Sequence, residues 1–198
     1  MKRRLLRDDC GHCDLIIRRA VPDDAPHVAM VERSAAQPFS KIPSIWWLMQ
    51  QSASTVEWAS YLAKSDAALV AQNHSDGVVA FLGASVIDRY LHIDELSVKH
   101  GMQRRGIGRQ LVDQCLERAR SFGMVAITPT TYHDVPWNAP WYLRRGFCIV
   151  GEERMPGFLR DQLDSDHEQG LSPPVRAAMW QRISSNQARS VSEKCREQ

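Results

Sequence analysis

The segment Gln103-Arg-Arg-Gly-Ile-Gly-Arg109 decides the fold, because it joins two stretches with different hydrophobic periods. Before it, an apolar run that ends at Val98 has the composition of a β-strand. After it, the residues up to Phe122 carry apolar side chains at helical spacing, and Gly123 is typical of a helix end. The segment is therefore predicted to be the turn between a strand and an amphipathic helix.

This turn has the chemistry of a phosphate-binding site. A helix N-terminus presents unpaired backbone N–H groups and the positive end of the helix dipole, which together attract anions. Gly106 and Gly108 lack a Cβ, so a pyrophosphate can approach the backbone there. Three arginines add positive charge: Arg104, Arg105 and Arg109. An ordinary basic helix start has the same composition, so the turn alone leaves both interpretations open.

Two other phosphate loops fit this sequence poorly. A P-loop requires Gly-Lys followed by Ser or Thr, and the chain has no such tripeptide. A dinucleotide-binding Gly-x-Gly-x-x-Gly turn would need glycine at position 111, which is Leu111. Both departures count against a nucleotide-binding module.

The residues before the turn predict strands and helices in a simple order. A short strand at 14–19 precedes a helix opened by Pro22, and a second helix begins with Thr55 as its cap. Strands at 67–71, 78–87 and 91–98 follow, the first two joined by a hairpin turn at 73–77.

The residues after the turn continue the pattern. The predicted elements are a helix at 106–122, a strand at 124–128, a short helix at 138–145, a strand at 147–150 and a last strand at 175–183. The polar segment 156–174 is predicted to be mostly irregular, with a short helix as the alternative. A hairpin meander followed by a strand–helix–strand crossover requires a mixed sheet. We therefore expect an α/β domain with a mixed, mostly antiparallel sheet flanked by helices.

Three motifs in this order resemble those of the GNAT superfamily of N-acetyltransferases. Gln103-Arg-Arg-Gly-Ile-Gly108 is similar to the family signature (Arg/Gln)-x-x-Gly-x-(Gly/Ala), and Glu95-Leu-Ser-Val98 resembles its fourth strand. Ala139-Pro-Trp-Tyr-Leu-Arg-Arg-Gly-Phe147 resembles the later helix that ends in Tyr-x-x-x-Gly-Phe. The resemblance covers roughly residues 14–183. Val135-Pro-Trp-Asn-Ala-Pro140 is also similar to a bacterial subgroup of the small-molecule type.

The resemblance implies a sheet splayed between its fourth and fifth strands, with acetyl-CoA in the opening. Pantetheine would pair with the strand backbone near Leu96 and Val98, and the pyrophosphate would take N–H groups from Gln103 to Arg109. The expected acetyl-CoA contacts are Leu96, Ser97, Val98, Gln103, Arg104, Arg105, Gly106, Ile107, Gly108 and Arg109. Asn138 resembles a family asparagine that contacts CoA, although its spacing to the tyrosine is short. No metal is expected.

Direct acetyl transfer to an amine calls for a base and for a proton donor. Tyr142 holds the family's tyrosine position, so we expect it to protonate the departing thiolate. Glu95 is the expected base, acting through water, and a structural ion pair is the alternative for this carboxylate. His92 and Asp94 would point away from Glu95 in a regular strand. A bulge would change their direction, so either residue remains an alternative base. A covalent route through Cys115 is disfavoured, because this cysteine lies on the apolar side of the long helix.

The acceptor is expected to bind where aromatic side chains flank Tyr142. Trp137, Trp141 and His133 are the candidate substrate contacts. Asp134 is a further candidate in the same loop, and Glu32 lies in one of the first helices. The function predicted is N-acetylation of a primary amine on a small molecule. Acetylation of a protein lysine or N-terminus, and a non-catalytic acyl-CoA-binding domain, are the alternatives.

Composition limits the remaining possibilities. The chain has 198 residues and a net charge of +2, which does not suggest a nucleic-acid-binding protein. No apolar run approaches the roughly 20 residues of a membrane helix, and no signal sequence is evident, so we expect a cytoplasmic protein without membrane contacts. Residues 1–13 are predicted to be a flexible lead, residues 14–183 the acetyltransferase domain and residues 184–198 a disordered tail. Cys10-Gly-His-Cys13 lacks the second ligand pair of a zinc site. Dimers are common in the family, so a homodimer is an open expectation.

Overall fold

The computed structural model describes residues 15–50, 53–171 and 175–183. The predictions for the lead, the tail and Cys10-Gly-His-Cys13 lie outside these residues. The strands are β1 (Ile16–Arg19), β2 (Leu69–Asn73), β3 (Gly77–Ile87), β4 (Tyr90–Val98), β5 (Ala126–Tyr132), β6 (Cys148–Ile149) and β7 (Arg176–Arg182). The α-helices are α1 (Ala25–Ala35), α2 (Thr55–Lys64), α3 (Ile107–Ser121), α4 (Ala139–Leu143) and α5 (Gly157–Glu168). Short 3₁₀ turns occupy Pro22–Asp24, Gln37–Lys41, Trp46–Gln50, His100–Met102 and Glu152–Arg154.

The strands form one seven-stranded sheet in the order β1-β2-β3-β4-β5-β7-β6. Only β4 and β5 pair in parallel, and the other neighbours are antiparallel. The predicted mixed α/β fold with a mostly antiparallel sheet is therefore confirmed. Within the described ranges, no helix is both long and apolar enough to cross a membrane.

Helices cover both faces of the sheet. The predicted apolar side of α3 is buried throughout and packs on one face, against side chains such as Leu82, Leu91 and Ile127. On the opposite face, α1 and α2 pack over the first half of the sheet, and α5 packs over the second half. Burial of these apolar surfaces supplies the main stabilisation of the fold. The helices α1 and α3, which carry candidate site residues, therefore lie on opposite faces of the sheet.

Two local predictions were wrong. The cap of α2 is Ser54 rather than Thr55, because Ser54 and Glu57 exchange side-chain and backbone hydrogen bonds as a capping box. Residues 156–174, predicted to be mostly irregular, contain the twelve-residue helix α5. Its sequence is polar, and it is held by the buried Leu159 and by an ion pair from Asp166 to Arg176 of β7. Tertiary contacts thus decide this helix more than local periodicity does.

The sheet opens between β4 and β5. Their parallel pairing begins at Tyr90 and Ala126 and ends at Ile93 and Pro129. Pro129 has no backbone N–H, so it cannot continue the ladder toward β4. Beyond this point β4 pairs with β3, whereas β5 pairs with β7. The result is the splay between the fourth and fifth strands that the sequence resemblance implied.

A β-bulge lies at the start of this opening. Gly83 of β3 pairs with Glu95 and Ala84 pairs with Ile93, so Asp94 is the extra residue. A bulge reverses the facing of the residues that follow it. Ile93 and Leu96 therefore contribute to the same core under α3, while Glu95 faces α1 and α2. His92 and Glu95 consequently share a face, unlike in the regular strand considered above.

Replacing Gly83 by Ala is expected to destabilise the protein by about 1–3 kcal/mol, because the site is already filled. A Cβ at this position would lie 2.7 Å from the Tyr61 hydroxyl oxygen and 3.1 Å from Phe81 Cζ. Tyr61 would have to move and would lose its 2.6 Å hydrogen bond to Asp94. Urea denaturation measures the effect. Gly101→Ala is the control, since a Cβ there meets nothing within 4 Å, and equal midpoints for the two variants would contradict the prediction.

Candidate active site

Tyr142 lies at the centre of the candidate site, on the short helix α4. Asn138 caps this helix and Pro140 occupies its first turn, a position where proline is favourable. The Tyr142 side chain is only 6% exposed and makes edge contacts of 4.9 Å with the rings of Trp141 and Phe147. Burial raises the pKa of Tyr142, and the nearby Glu95 raises it further. The phenol therefore stays protonated, which is the form that a proton donor requires.

Glu95 faces the same opening from β4. Its Oε1 accepts a 2.5 Å hydrogen bond from the Ser97 hydroxyl. Burial raises the pKa of Glu95, while Ser97 and the more distant Arg176 oppose that rise. Among the described residues, no cation lies within 4 Å of Glu95, so the ion pair considered from the sequence does not form there. A half-buried carboxylate without a counterion is suited to bind or receive a proton.

A second carboxylate, Glu32, reaches this face from α1. Its Oε2 accepts hydrogen bonds from Trp58 Nε1 (2.9 Å) and from the Ala53 backbone N–H (3.2 Å). Burial raises the pKa of Glu32 to about 7, and the negative charge of Glu95 adds to the effect. The sequence placed Glu32 only near the acceptor side. Glu32 lies four residues after the buried Val28, on the packed side of α1. This spacing is the sequence feature that could have indicated a place for Glu32 in the site.

The two alternative bases on β4, Asp94 and His92, are held by protein contacts. Asp94 Oδ2 accepts 2.6 Å hydrogen bonds from the hydroxyls of Tyr61 and Ser85, which brace the bulge. His92 is buried, and its Nδ1 lies 3.0 Å from Thr128 Oγ1. Burial lowers the pKa of His92, so its ring stays neutral near pH 7. Asp94 is exposed, whereas the Glu95 carboxylate is partly buried and accepts one side-chain hydrogen bond, from Ser97.

The predicted phosphate turn forms the N-terminus of α3. Gly106 precedes the helix with φ 81°, and Arg104 also has a positive φ of 62°. The first turn of α3 leaves backbone N–H groups without intrahelical acceptors. The Gln103 N–H is used within the turn, where it donates to His100 O (3.3 Å), and Gln103 Nε2 donates to Val98 O (3.1 Å). The anion-binding geometry therefore begins at the helix itself.

Positive charge gathers around this N-terminus. Arg104, Arg105 and Arg109 are exposed, and Arg109 lies 3.5 Å from Asp113 one turn along α3. Arg145 stacks 3.6 Å from the centroid of the Trp141 ring. Burial lowers the pKa of Arg145, and so does its proximity to Arg109. Sequence reasoning did not single out Arg145, although it lies inside the Tyr-x-x-x-Gly-Phe motif.

The predicted acceptor contacts lie in three different surroundings. Trp137 is 40% exposed and makes an edge contact of 5.6 Å with Phe39. Trp141 instead packs beside the phosphate turn, since a Cβ on Gly108 would lie 3.6 Å from its ring. His133 is exposed and pairs with the adjacent Asp134 at 2.6 Å. The structure thus groups Trp137 with Phe39, and Trp141 with Gly108.

Asn138 connects α4 to β5. Its Nδ2 donates a 2.7 Å hydrogen bond to Thr131 Oγ1, and its backbone oxygen accepts from the N–H groups of Trp141 and Tyr142. The side-chain Oδ1 is buried and has no partner among the described residues. An unpaired buried acceptor is available to a ligand donor.

In the described part of the chain, no group of three or more His, Cys, Asp or Glu residues is arranged to hold a metal ion.

Glu32 is expected to make folding depend on pH. Its pKa is about 7 in the folded protein against an ordinary value of 4.5, so the folded state binds its proton more tightly. This contribution is complete below the unfolded pKa and is lost as pH rises through about 7. The free energy of unfolding of the wild type should therefore fall more steeply over this window than that of Glu32→Gln.

Urea denaturation at a series of pH values measures this difference. In Glu32→Gln the new amide oxygen can still accept the hydrogen bonds from Trp58 and Ala53, so the variant removes the charge without removing the contacts. Glu153→Gln, at an exposed position after β6, is the matched control and should follow the wild type. Parallel pH profiles for wild type and Glu32→Gln would refute the expectation.

Comparisons with known proteins concern the family and the fold. The family model described as "Acetyltransferase (GNAT) family" matches residues 32–147, which is more than half of the chain. Among solved structures, the PaiA N-acetyltransferase of Thermoplasma acidophilum in complex with coenzyme A is similar, with a TM-score of 0.64 and 14% identity. That match covers 85% of this chain and 99% of the other.

Two further structures are similar. The ribosomal-protein-S18-alanine N-acetyltransferase of Escherichia coli has a TM-score of 0.60 and 15% identity, over 87% of this chain and 96% of the other. The N-acetylglutamate synthase of Neisseria gonorrhoeae has a TM-score of 0.63 and 17% identity. Its match covers 86% of this chain but only 35% of that longer protein. At these identities the structural likeness concerns the fold, and the family rests on the model match: the chain belongs to the GNAT acetyltransferase family.

Proposed function

We propose that this enzyme transfers an acetyl group from acetyl-CoA directly to a primary amine of a small molecule. The observation that carries the proposal is the pairing of a protonated phenol, Tyr142, with a half-buried carboxylate without a counterion, Glu95, at the opening between β4 and β5. The family membership makes the chain an N-acetyltransferase with acetyl-CoA as its acyl donor. The acceptor class is our inference from the site.

The donor would enter along β4 and end at α3. The Lys99 N–H donates to Val79 O of β3, so the preceding carbonyl of Val98 points away from β3 and into the opening. In the free protein Gln103 Nε2 donates to this carbonyl. Pantetheine amides would pair with Leu96 and Val98 and displace the Gln103 amide. The pyrophosphate would take the N–H groups of the first turn of α3, where Gly106 and Gly108 leave room.

The arginines at the start of α3 support the same placement of the CoA diphosphate. The diphosphate of CoA carries negative charge, and Arg104, Arg105 and Arg109 surround the helix start. Arg145 adds a fourth guanidinium, held in place on the Trp141 ring. Trp141 would therefore serve the donor side of the cleft, while Trp137 would remain available to the acceptor.

The chemistry then proceeds as a direct transfer. An alkyl ammonium has a pKa of about 10, so the acceptor must lose a proton before it attacks. Glu95 would take this proton through a bridging water. The amine nitrogen forms a bond to the acetyl carbon, the C–S bond breaks, and Tyr142 gives its proton to the departing thiolate. The nitrogen then loses its second proton, which returns through water to the Tyr142 phenolate and restores the phenol. The products are the N-acetyl amine, CoA–SH and one proton.

A thiol-release assay with acetyl-CoA tests the proposal. The acceptor panel comprises simple amines, polyamines, aminoglycosides, amino acids and peptides, and calorimetry measures acetyl-CoA binding separately. Turnover confined to small amines is the expected result. Turnover confined to peptides would replace the acceptor class with protein, acetyl-CoA binding without turnover would favour a non-catalytic domain, and a failure to bind acetyl-CoA would refute the proposal.

A further inference from the structure

Two partly buried carboxylates on the acceptor side of the cleft lack a counterion among the described residues. Glu32 and Glu95 have no cation of these residues within 4 Å. The cation that influences Glu95 is Arg176, and its Nε lies 2.6 Å from Asp166, so its charge is already matched. Asp94 also lacks such a cation, but it is exposed to solvent and accepts two side-chain hydrogen bonds. Glu32 and Glu95 therefore differ from Asp94 in being both partly buried and without a counterion.

Glu32 is held so that one of its oxygens stays available. Both of its hydrogen bonds from described residues, those from Trp58 and Ala53, end on Oε2. Oε1 is left for a ligand. Arg33, the next residue of α1, is exposed and lowers the pKa of Glu32 less than Glu95 raises it. The carboxylate is thus fixed in position while its charge is not neutralised by the protein.

Burial of this kind is costly unless a ligand offsets it. A carboxylate that is buried loses its hydration, and the attraction of a counterion can offset this cost. Glu95 has a use in the proposed reaction, since it removes the proton of the attacking amine. Glu32 has no role in that step, and its hydrogen bonds from described residues come only from Trp58 and the Ala53 backbone. A second positive charge on the acceptor would supply the missing counterion.

Aromatic side chains lie on the segment that follows α1. The 3₁₀ turn after α1 brings Phe39 to within 5.6 Å, centroid to centroid, of the half-exposed Trp137. Phe39 also contacts the buried Tyr132 of β5, at 6.2 Å. Aromatic faces attract organic cations and pack on alkyl chains. These rings, on the segments after α1 and before α4, would suit the alkyl chain of an acceptor with cationic ends.

We infer that the acceptor is an amine with a second cationic group, such as a diamine, a polyamine or an amine that carries a guanidinium, and that Glu32 is the counterion of this second group. The inference rests on the proposed function for the identity of the reacting amine. Glu95 serves the nitrogen that is acetylated, and Glu32 binds the charge at the other end. Glu32 is a specificity residue in this assignment rather than part of the transfer step.

The test compares pairs of acceptors that differ in one charge. The probes are 1,3-diaminopropane, 1,4-diaminobutane and 1,5-diaminopentane, each against the amino alcohol of the same length. In the thiol-release assay, at least one diamine should exceed its amino alcohol in kcat/KM by at least tenfold with the wild type. Glu32→Gln should lower this ratio at least tenfold, chiefly through KM. Glu153→Gln, the matched control at an exposed site, should leave the ratio unchanged.

A second measurement separates this inference from the proposed function. Calorimetry of the same diamines, with the protein saturated with CoA, reports the cation site without turnover. Binding of diamines that depends on Glu32, but without thiol release, would contradict the proposed transfer and still support the cation site. A ratio near one for every pair, or a diamine preference that survives in Glu32→Gln, would overturn the inference even if other amines are acetylated.

Discussion

Tyr142→Phe is expected to lower kcat by about 100-fold or more, because a positioned acid or base typically contributes about 10²–10⁴ in rate. The Phe ring keeps the edge contacts with Trp141 and Phe147, so the fold and the affinity for acetyl-CoA should change little. Steady-state thiol release measures kcat, and calorimetry measures acetyl-CoA binding. The loss should appear in kcat and in kcat/KM equally, since the proton is given only in the transition state.

Tyr90, the first residue of β4, provides a control for the Tyr142 experiment. Tyr90→Phe removes a hydroxyl from a residue whose ring packs against Phe158 of α5, at 5.2 Å. That variant should keep its kcat within about twofold, because surface-near substitutions without a special contact have small effects. A decrease of less than tenfold for Tyr142→Phe would show that another group, or water, protonates the thiolate.

Glu95→Gln is expected to lower kcat/KM by about 100-fold at neutral pH, through loss of the base. The amide oxygen can still accept the hydrogen bond from Ser97, so the local structure should persist. The pH profile carries more information than the rate. Burial raises the pKa of Glu95 above its ordinary value of 4.5, and only the ionised form accepts a proton. In the wild type, kcat/KM should therefore fall as pH drops through a pKa higher than that of an exposed glutamate.

This fall of kcat/KM at low pH, the acidic limb of the profile, should be absent from Glu95→Gln. The pKa of Glu32 is also raised, to about 7, so its contribution to the pH profile must be separated. The profile of Glu32→Gln serves that purpose, because it should retain the limb that Glu95 produces. An unchanged acidic limb in Glu95→Gln would assign the base to another group of the cleft.

Part of this site follows from local sequence alone. The position of the predicted phosphate turn followed from the change of hydrophobic period at Gly106 and Gly108, at the start of α3. The buried side of α3 followed from its apolar period, and the position of Tyr142 followed from the motif that ends in Gly146-Phe147. These features depend on neighbours within one or two turns of chain, so the pattern of residues is sufficient to place them.

The remainder of the site depends on contacts between residues far apart in the chain. The bulge at Asp94 turns Glu95 toward α1 and α2, and it exists because β4 pairs with β3 in the shifted register that begins at Gly83. Sequence alternation alone would have placed Glu95 under α3. In the same way, the polar helix α5 forms because Leu159 is buried and Asp166 pairs with Arg176 of β7.

The charged and aromatic side chains of the cleft are present in the sequence, but their arrangement depends on distant contacts. The sequence contains Glu32, Trp137 and Trp141, but it does not show which of these side chains face one another. The approach of α1 to β4 brings Glu32 near Glu95, and the packing of α4 on α3 separates Trp141 from Trp137. By itself the sequence determined the strand–turn–helix of the candidate phosphate site and the mixed sheet around it, since both follow from periodicity and glycine placement. Only the tertiary structure decided which carboxylates share the opening, because the facing of a strand residue and the burial of a charge are set by partners that are distant in the chain.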